Sequence, residues 1–205
     1  MSYSPGGPGY ASGGPAEPAF SQAGLQDVVN SWIAAVTKPS VQTFAAEVPR
    51  TSQNRLIMSV GLATVIAAVL GLISGLLSGS ATGFIGSLIG TPIGFFVGQG
   101  IIFLIAKMVG GNGSFMEQSW VMSTFWAPIL ILTNIPIIGG FIGLFAWLYS
   151  LYLTYLALQP THRMDSTKAL TVVGILFAIV VVLGLCAFFT VGLAFLGLAA
   201  AGGNQ

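Results

Sequence analysis

Three stretches of the chain, 56–106, 118–161 and 169–205, contain no Asp, Glu, Lys or Arg. Within them apolar residues run on without the alternation of a half-buried strand or the striping of a surface helix. A bilayer core of about 30 Å is crossed by about 20 apolar helical residues. The first two stretches each have the length of two crossings, and the third holds one plus a tail of small residues. The pattern predicts an all-α, polytopic membrane helical bundle of five transmembrane helices, at about 56–78, 83–106, 118–134, 136–158 and 169–197. The turns "SGSAT" and "TNIP" carry no charge, and Asn134 with Pro136 suits a tight reversal.

Ahead of the spans, "LQDVVNSWIAAVTKP" repeats its apolar residues at helical spacing. Leu25, Val28, Val29, Trp32, Ile33 and Val36 share one face, and Asp27, Asn30 and Ser31 lie opposite. Pro39 ends the helix, because the residue before a proline disfavours helical backbone. A shorter echo, Val41, Phe44, Ala45 and Val48, follows a Ser40 cap and stops at Pro49. A Trp-bearing amphipathic helix beside membrane spans has two destinations, the lipid interface or the protein's own bundle, and they are compatible. It is assigned here as an N-terminal interfacial helix. Residues 1–24 are Pro/Gly/Ser/Ala-rich and too poor in apolar surface to order themselves, so they read as a disordered cytoplasmic tail. The expected organisation is a tail at 1–24, an amphipathic segment at 25–49 and a five-span domain at 50–200.

Glycine keeps a four-residue rhythm through the first two spans: Gly71, Gly75, Gly79 and Gly83, then Gly86, Gly90, Gly94 and Gly98. In soluble helices each would cost roughly 1 kcal/mol relative to alanine. In membranes small-xxx-small rows let helix backbones approach closely. The two rows are expected to pack against each other within one helical hairpin.

Charge decides the orientation. Only 5% of residues are charged, against about 25% in soluble domains. With five crossings, Lys38, Arg50, Arg55, Lys107, Arg163 and Lys168 all fall on one side, which the positive-inside rule makes cytoplasmic. The N-terminus is then inside and the C-terminus outside. The acidic residues share that side. A net charge of +1 gives no reason to expect nucleic acid. No charged-then-apolar signal peptide opens the chain.

Catalytic chemistry finds little purchase. The spans hold no ionisable group at depth, where transporters and intramembrane enzymes usually place one. Zinc-helix and nucleophile-elbow motifs are missing, and a single cysteine, Cys186, cannot form an internal disulfide. His162 reads as an exposed loop residue with no second ligand nearby. "GGNGS" lacks the spacing and lysine of a phosphate loop. No enzyme, cofactor or metal site is expected. Gln99 stands out, since a glutamine in hydrocarbon seeks a partner across helices; the alternative is that it lines a solute path. Trp147, Tyr149, Tyr152 and Tyr155 have the composition of an interfacial aromatic belt.

The order of "SWIAAVTKPSVQTF" before the spans, "GGNGSF" after the second and "YLALQPTHRMDSTKAL" between the fourth and fifth resembles the Yip domain family, over about residues 28–190. The landmarks are Lys38 and Pro39, Gly110, Gly111, Gly113 and Phe115, and Lys168 with Ala169. The resemblance implies a five-span protein with a cytoplasmic N-terminus. Eukaryotic members bind Rab-type GTPases and are linked to vesicle traffic and membrane shaping. Prokaryotic members mostly lack an assigned activity. The short leader here departs from the eukaryotic pattern, so a GTPase partner follows only if the eukaryotic role applies. The compact chain looks prokaryotic, which would place it in the cell membrane. The leading expectation is a non-enzymatic membrane scaffold, organiser or partner-binding component that contacts the lipid bilayer and uses its cytoplasmic segments for self-association or protein partners. The alternative is a transporter or channel for a small or apolar solute, for which Pro92 and Pro128 would supply helix breaks.

Overall fold

The structure is a computed structural model that describes the backbone of residues 21–78, 82–136 and 138–202, and side chains over 21–77, 83–136 and 139–190. Every regular element among the described residues is helical. They are α1 (Gln22–Thr37), α2 (Val41–Glu47), a 3-10 turn (Val48–Arg50), α3 (Gln53–Ser78), α4 (Thr82–Met108), α5 (Phe115–Thr133), α6 (Ile138–His162) and α7 (Ser166–Gly202). Of the tail expected over 1–24, residues 1–20 lie outside the described residues, whereas Ser21 caps α1 and Gln22–Gly24 form its first turn, so the helix begins earlier than expected. Helix starts follow local chemistry. The hydroxyls of Ser21, Ser40 and Ser114 accept the otherwise unpaired amides of Gly24, Thr43 and Glu117. Ser114 and Glu117 also bond reciprocally, the Glu117 carboxylate accepting the Ser114 amide at 3.1 Å.

Among the described residues, four helices are long and apolar enough to cross a membrane: Gln53–Leu77, Gly83–Met108, Gly139–His162 and Ser166–Thr190. Helix α5, which covers the expected third span, is not among them. Its first half carries Glu117, Gln118, Ser119, Ser123 and Thr124. That polarity is tolerated because α5 is the central helix, packed against α1, α3, α4, α6 and the 3-10 turn. Residues 118–125 are all buried there, by protein rather than by lipid. Trp120, Met122 and Phe125 meet Val28, Phe44 and Leu153 in the main core. Between lipid-embedded helices there is little hydrophobic drive, so close packing and internal hydrogen bonds must hold this arrangement. Pro92 and Pro128 lie inside unbroken helices, which removes the expected breaks.

Of the two compatible destinations expected for α1, the protein's own bundle takes most of its apolar face. Val28 and Trp32 are buried in the bundle, and the Trp32 indole N–H donates to Ser59 Oγ of α3 at 2.9 Å. Leu25 and Val36 pack onto the same core and Val29 is half-buried, leaving Ile33 as the exposed member of the face. The apolar face is therefore spent on the protein's own helices. From α6 the Tyr149 hydroxyl reaches the Val36 carbonyl at 2.8 Å and ties the end of α1 down.

The glycine rows divide. A Cβ built on Gly71 would sit 2.6 Å from the Gly83 carbonyl oxygen, and the reverse holds for Gly83 against Gly71. Here α3 and α4 touch backbone to backbone. Gly86, Gly90, Gly94 and Gly98 meet nothing within 4 Å, so they do not pack against α3 as expected. On α4 the side facing α3 is taken instead by Ser87, against Gly71, and by Phe95, which clusters with Leu56 and Val60. Gly86, Gly90 and Gly94 border a groove between α4 and α5 with Trp126 and Leu130. Gly75 is buried on α3, and Gly79 lies outside the described residues.

The rest of the surface is apolar. Beyond Ala169 and Val172, which are buried, α7 exposes a continuous run that includes Val182, Leu183, Phe188 and Phe189. Cys186 is exposed on the same helix. Such a surface is stable in hydrocarbon and would aggregate in water. The multi-pass chain is an integral membrane protein in contact with the bilayer.

The divided rows set a contrast. Gly83→Ala should destabilise the folded protein by about 1–3 kcal/mol through forced separation of two backbones. Gly90→Ala should be neutral or stabilising by up to about 1 kcal/mol. Unfolding midpoints in mild detergent check both, and equal losses at the two positions would remove the Gly71–Gly83 contact from this account.

Candidate functional site

Asp27, Glu47, Arg50 and Arg55, scattered in sequence, converge beside the starts of α3 and α5. Arg50 bonds Asp27 of α1 and, at 2.6 Å, Glu47 of α2. Arg55, at the start of α3, takes the other oxygen of Asp27 at 2.6 Å and lies 5.9 Å from the ring centre of Trp120. Glu47 is buried, accepts the Ser31 hydroxyl at 3.0 Å, and offers its backbone carbonyl to the Trp120 indole N–H at 3.1 Å. Two cations and two anions thus tie α1, α2, the 3-10 turn and α3 around the first turns of α5. A chain with so few charges places four of them in one bonded cluster. Removing one member of a buried pair typically costs about 3–5 kcal/mol, because the other charge is stranded.

A second, neutral cluster sits where the two connecting loops meet. Helices α4 and α6 end alike. Gly110 (φ +93°) follows α4, and the Gly111 amide reaches back to the Ala106 carbonyl at 2.8 Å. Arg163 (φ 52°) follows α6, and the Met164 amide reaches back to the Gln159 carbonyl at 3.1 Å. Both are six-to-one closures in which a left-handed residue turns the chain off the helix. The glycine loop then lies directly on the end of α6. The Asn112 amide donates to the His162 carbonyl at 2.9 Å, and a Cβ on Gly113 would collide with the Thr161 carbonyl. A Cβ on Gly111 would come within 2.8 Å of His162 Nδ1. "GGNG" is a loop shaped to hug a neighbouring helix end.

His162 is fully buried there, which corrects its reading as an exposed loop residue. Helix α6 runs through Pro160 to His162, past the expected end of the span. Gln118 Nε2 donates to both the backbone carbonyl and Oε1 of Gln99 at 2.9 Å. A backbone carbonyl can only accept, so the Gln118 atom facing it is nitrogen and Gln118 Oε1 must face His162. His162 Nε2 is 2.8 Å from that oxygen and carries the hydrogen. Nδ1, buried with no partner, is then the unprotonated nitrogen, and the ring is neutral. The ladder His162–Gln118–Gln99 links α6, α5 and α4, so Gln99 has an interhelical partner.

At the rim, Arg163 pairs with Glu117 at 3.3 Å and is mostly exposed. Burial works against the Glu117 carboxylate, but the Ser114 amide, the Arg163 charge and the Ser114 hydroxyl outweigh it and hold its pKa below the usual value of 4.5. Lys38, Lys107 and Lys168 are exposed and enter no ion pair among the described residues. Lys107 Nζ stands 5.3 Å from the Phe103 ring centre. Among the described residues no three His, Cys, Asp or Glu side chains gather as metal ligands. Most buried polar groups bond to one another, while Glu47 Oε2, Arg55 Nη1, Ser119 Oγ and His162 Nδ1 have no partner among the described residues.

A family profile described as the Yip1 domain matches residues 33–189. The chain belongs to the Yip1 domain family. Neither the curated proteins nor the solved structures compared with it give a match. Within this Yip1 domain the sequence landmarks have physical roles. Lys38 closes α1, its amide on the Ala34 carbonyl at 3.0 Å, and Pro39 follows. Phe115 packs edge-on against Phe103 at 5.6 Å. The Lys168 amide is capped by Asp165 at 2.8 Å, and Ala169 is fully buried. The structure joins the Gly110–Phe115 loop to the α6–α7 loop, while the Lys38–Pro39 corner stands apart on the end of α1. Sequence reasoning passed over Gln118, Trp120 and the Asp27–Arg50–Arg55 set. The run of polar residues between Glu117 and Thr124, odd for a lipid-facing helix, was the available signal.

Gln118→Leu should cost about 1–3 kcal/mol by stranding the His162 N–H, read as a lower unfolding midpoint in detergent. For Glu117, a lowered folded-state pKa means its contribution is complete above the ordinary value of 4.5 and is lost as pH falls through the lowered one. The stability gap between wild type and Glu117→Gln should therefore close on acidification below about pH 4; a gap that widens there would reverse the assignment.

Proposed function

We propose that this Yip1 domain protein is a non-enzymatic membrane scaffold or organiser that binds protein partners at its charged end. The supporting observation is the division of the molecule: a rim at one end carrying Lys107 and Lys168, which are exposed and enter no ion pair among the described residues, and apolar surface along the helices. In this reading α5 is a fifth crossing, shielded from lipid along its polar half. The charged end is cytoplasmic, where anionic lipid headgroups and positive-inside bias favour lysines, and the C-terminus is outside. Residues 1–20 serve as a solvated tail, 21–49 as a cap that seals the bundle, and 50–200 as the membrane domain. Family membership associates the protein with membrane traffic, and a GTPase is the partner class if the eukaryotic role applies. The cell membrane is the location for a prokaryotic member.

Two experiments test this. A reporter fused after Gln205 should read as non-cytoplasmic; a cytoplasmic reading would remove α5 as a crossing. Crosslinking in native membranes should recover a stoichiometric partner that is lost when Lys107→Glu and Lys168→Glu are combined. A chain that stays solitary, or keeps its partner despite the charge reversal, would overturn the role of the rim.

A further inference from the structure

At membrane depth, on the uncharged side of the Gln99–Gln118 contact, the helices part around a cleft of about 360 Å³. Its walls come from Ile102 of α4, Trp126 and Ile129 of α5, Trp147 of α6 and Leu176 of α7. Gln99 lines the same cleft and is only 5% exposed. Its carbonyl and Oε1 both accept from Gln118, so its Nε2 group has no partner among the described residues. Thr133, Ser150 and Thr154 also line the cleft, but their hydroxyls donate to carbonyls of their own helices. Gln99 Nε2 is not among the partnerless side-chain atoms that are sealed off from access, so this donor opens onto the cleft, where an acceptor can reach it.

We infer that this cleft is a binding site for a small, uncharged, membrane-dissolved molecule with an apolar body and one carbonyl-type acceptor, which takes its hydrogen bond from Gln99 Nε2. The size falls within the range of small-molecule pockets, about 300–1,000 Å³. The class of ligand follows from the lining. Apolar walls reject charge, since an ion there would be stripped of water without an opposite charge to meet it. The Gln99 amide asks for an acceptor rather than a donor. Depth separates a free molecule from a phospholipid. Gln99 is eight residues from Lys107 on α4, about 12 Å along the axis, near the middle of a hydrocarbon core of about 30 Å. Phospholipid ester carbonyls lie at the boundary of that core and do not reach this depth. A free ketone or quinone-like compound does.

Benzophenone is a direct probe: an uncharged two-ring ketone that crosslinks to neighbouring C–H bonds on irradiation. With the full chain in phosphatidylcholine nanodiscs, labelling should saturate and map to cleft residues such as Met122, Trp126 and Leu176. Dicyclohexyl ketone should compete, and diphenylmethane, which lacks the carbonyl, should compete about tenfold less well, the equivalent of one hydrogen bond. Gly143→Leu should abolish labelling by filling the cleft, since a Cβ on Gly143 meets nothing within 4 Å and the fold is spared. Gln99→Met should weaken it about tenfold while Gln118 keeps the Gln99 backbone carbonyl as its acceptor. Unsaturable labelling spread over Leu183 and Phe188 of α7 would overturn the site. So would unchanged labelling in Gly143→Leu. Equal competition by ketone and hydrocarbon would overturn the ligand class in favour of a lipid tail.

Discussion

The end of α6 is held between two neighbours, and most of the bundle is referred to that contact. On one side the glycine loop lays its backbone against Thr161 and His162; on the other Gln118 of α5 bonds the imidazole and passes the connection to Gln99 of α4. Inside a membrane protein a polar group finds no water, so each must be answered by another. Three helices and two loops are positioned by satisfying one histidine. The demand is directional in a way that apolar packing is not. It sets the rotation of α5, because only one face can present Gln118 between α4 and α6.

That rotation explains why α5 is polar where its neighbours are not. Its first half is enclosed by α1, α3, α4, α6 and the 3-10 turn, so lipid does not select its composition. The ion cluster of Asp27, Glu47, Arg50 and Arg55 closes the enclosure from the N-terminal side and carries Trp120 beneath it. The N-terminal helices therefore act as a lid on the protein's own core. Farther from the charged end these constraints fade. The helices separate around a cleft and a groove, and α7 keeps little contact with the rest. A rigid polar end joined to a looser apolar body is the mechanical character of the molecule.

Much of this was legible in the chain. Uncharged length marked the helices that became α3, α4, α6 and α7, and the Gly71 and Gly83 positions lie within the predicted hairpin contact. Gln99 was singled out because hydrocarbon makes a lone amide expensive. The errors share a cause. Gly86 to Gly98 have the same local spacing as the rows that pack, and only the path of α3 across α4 leaves them in a groove. His162 looks like a loop residue beside Pro160 and Arg163 until the glycine loop is brought over it. Trp32 has the profile of an interfacial residue, and Ser59, its partner, is far along the chain.

By itself, the sequence determined the helical class and the residence in a membrane. Each follows from transfer free energy summed over a segment, which needs no knowledge of neighbours. Tertiary structure alone decided which glycines touch, which amide meets which imidazole, and whether a polar helix is enclosed or exposed. Those outcomes depend on helix rotation and crossing, where a shift of one residue turns a side chain by about 100° and exchanges its partners.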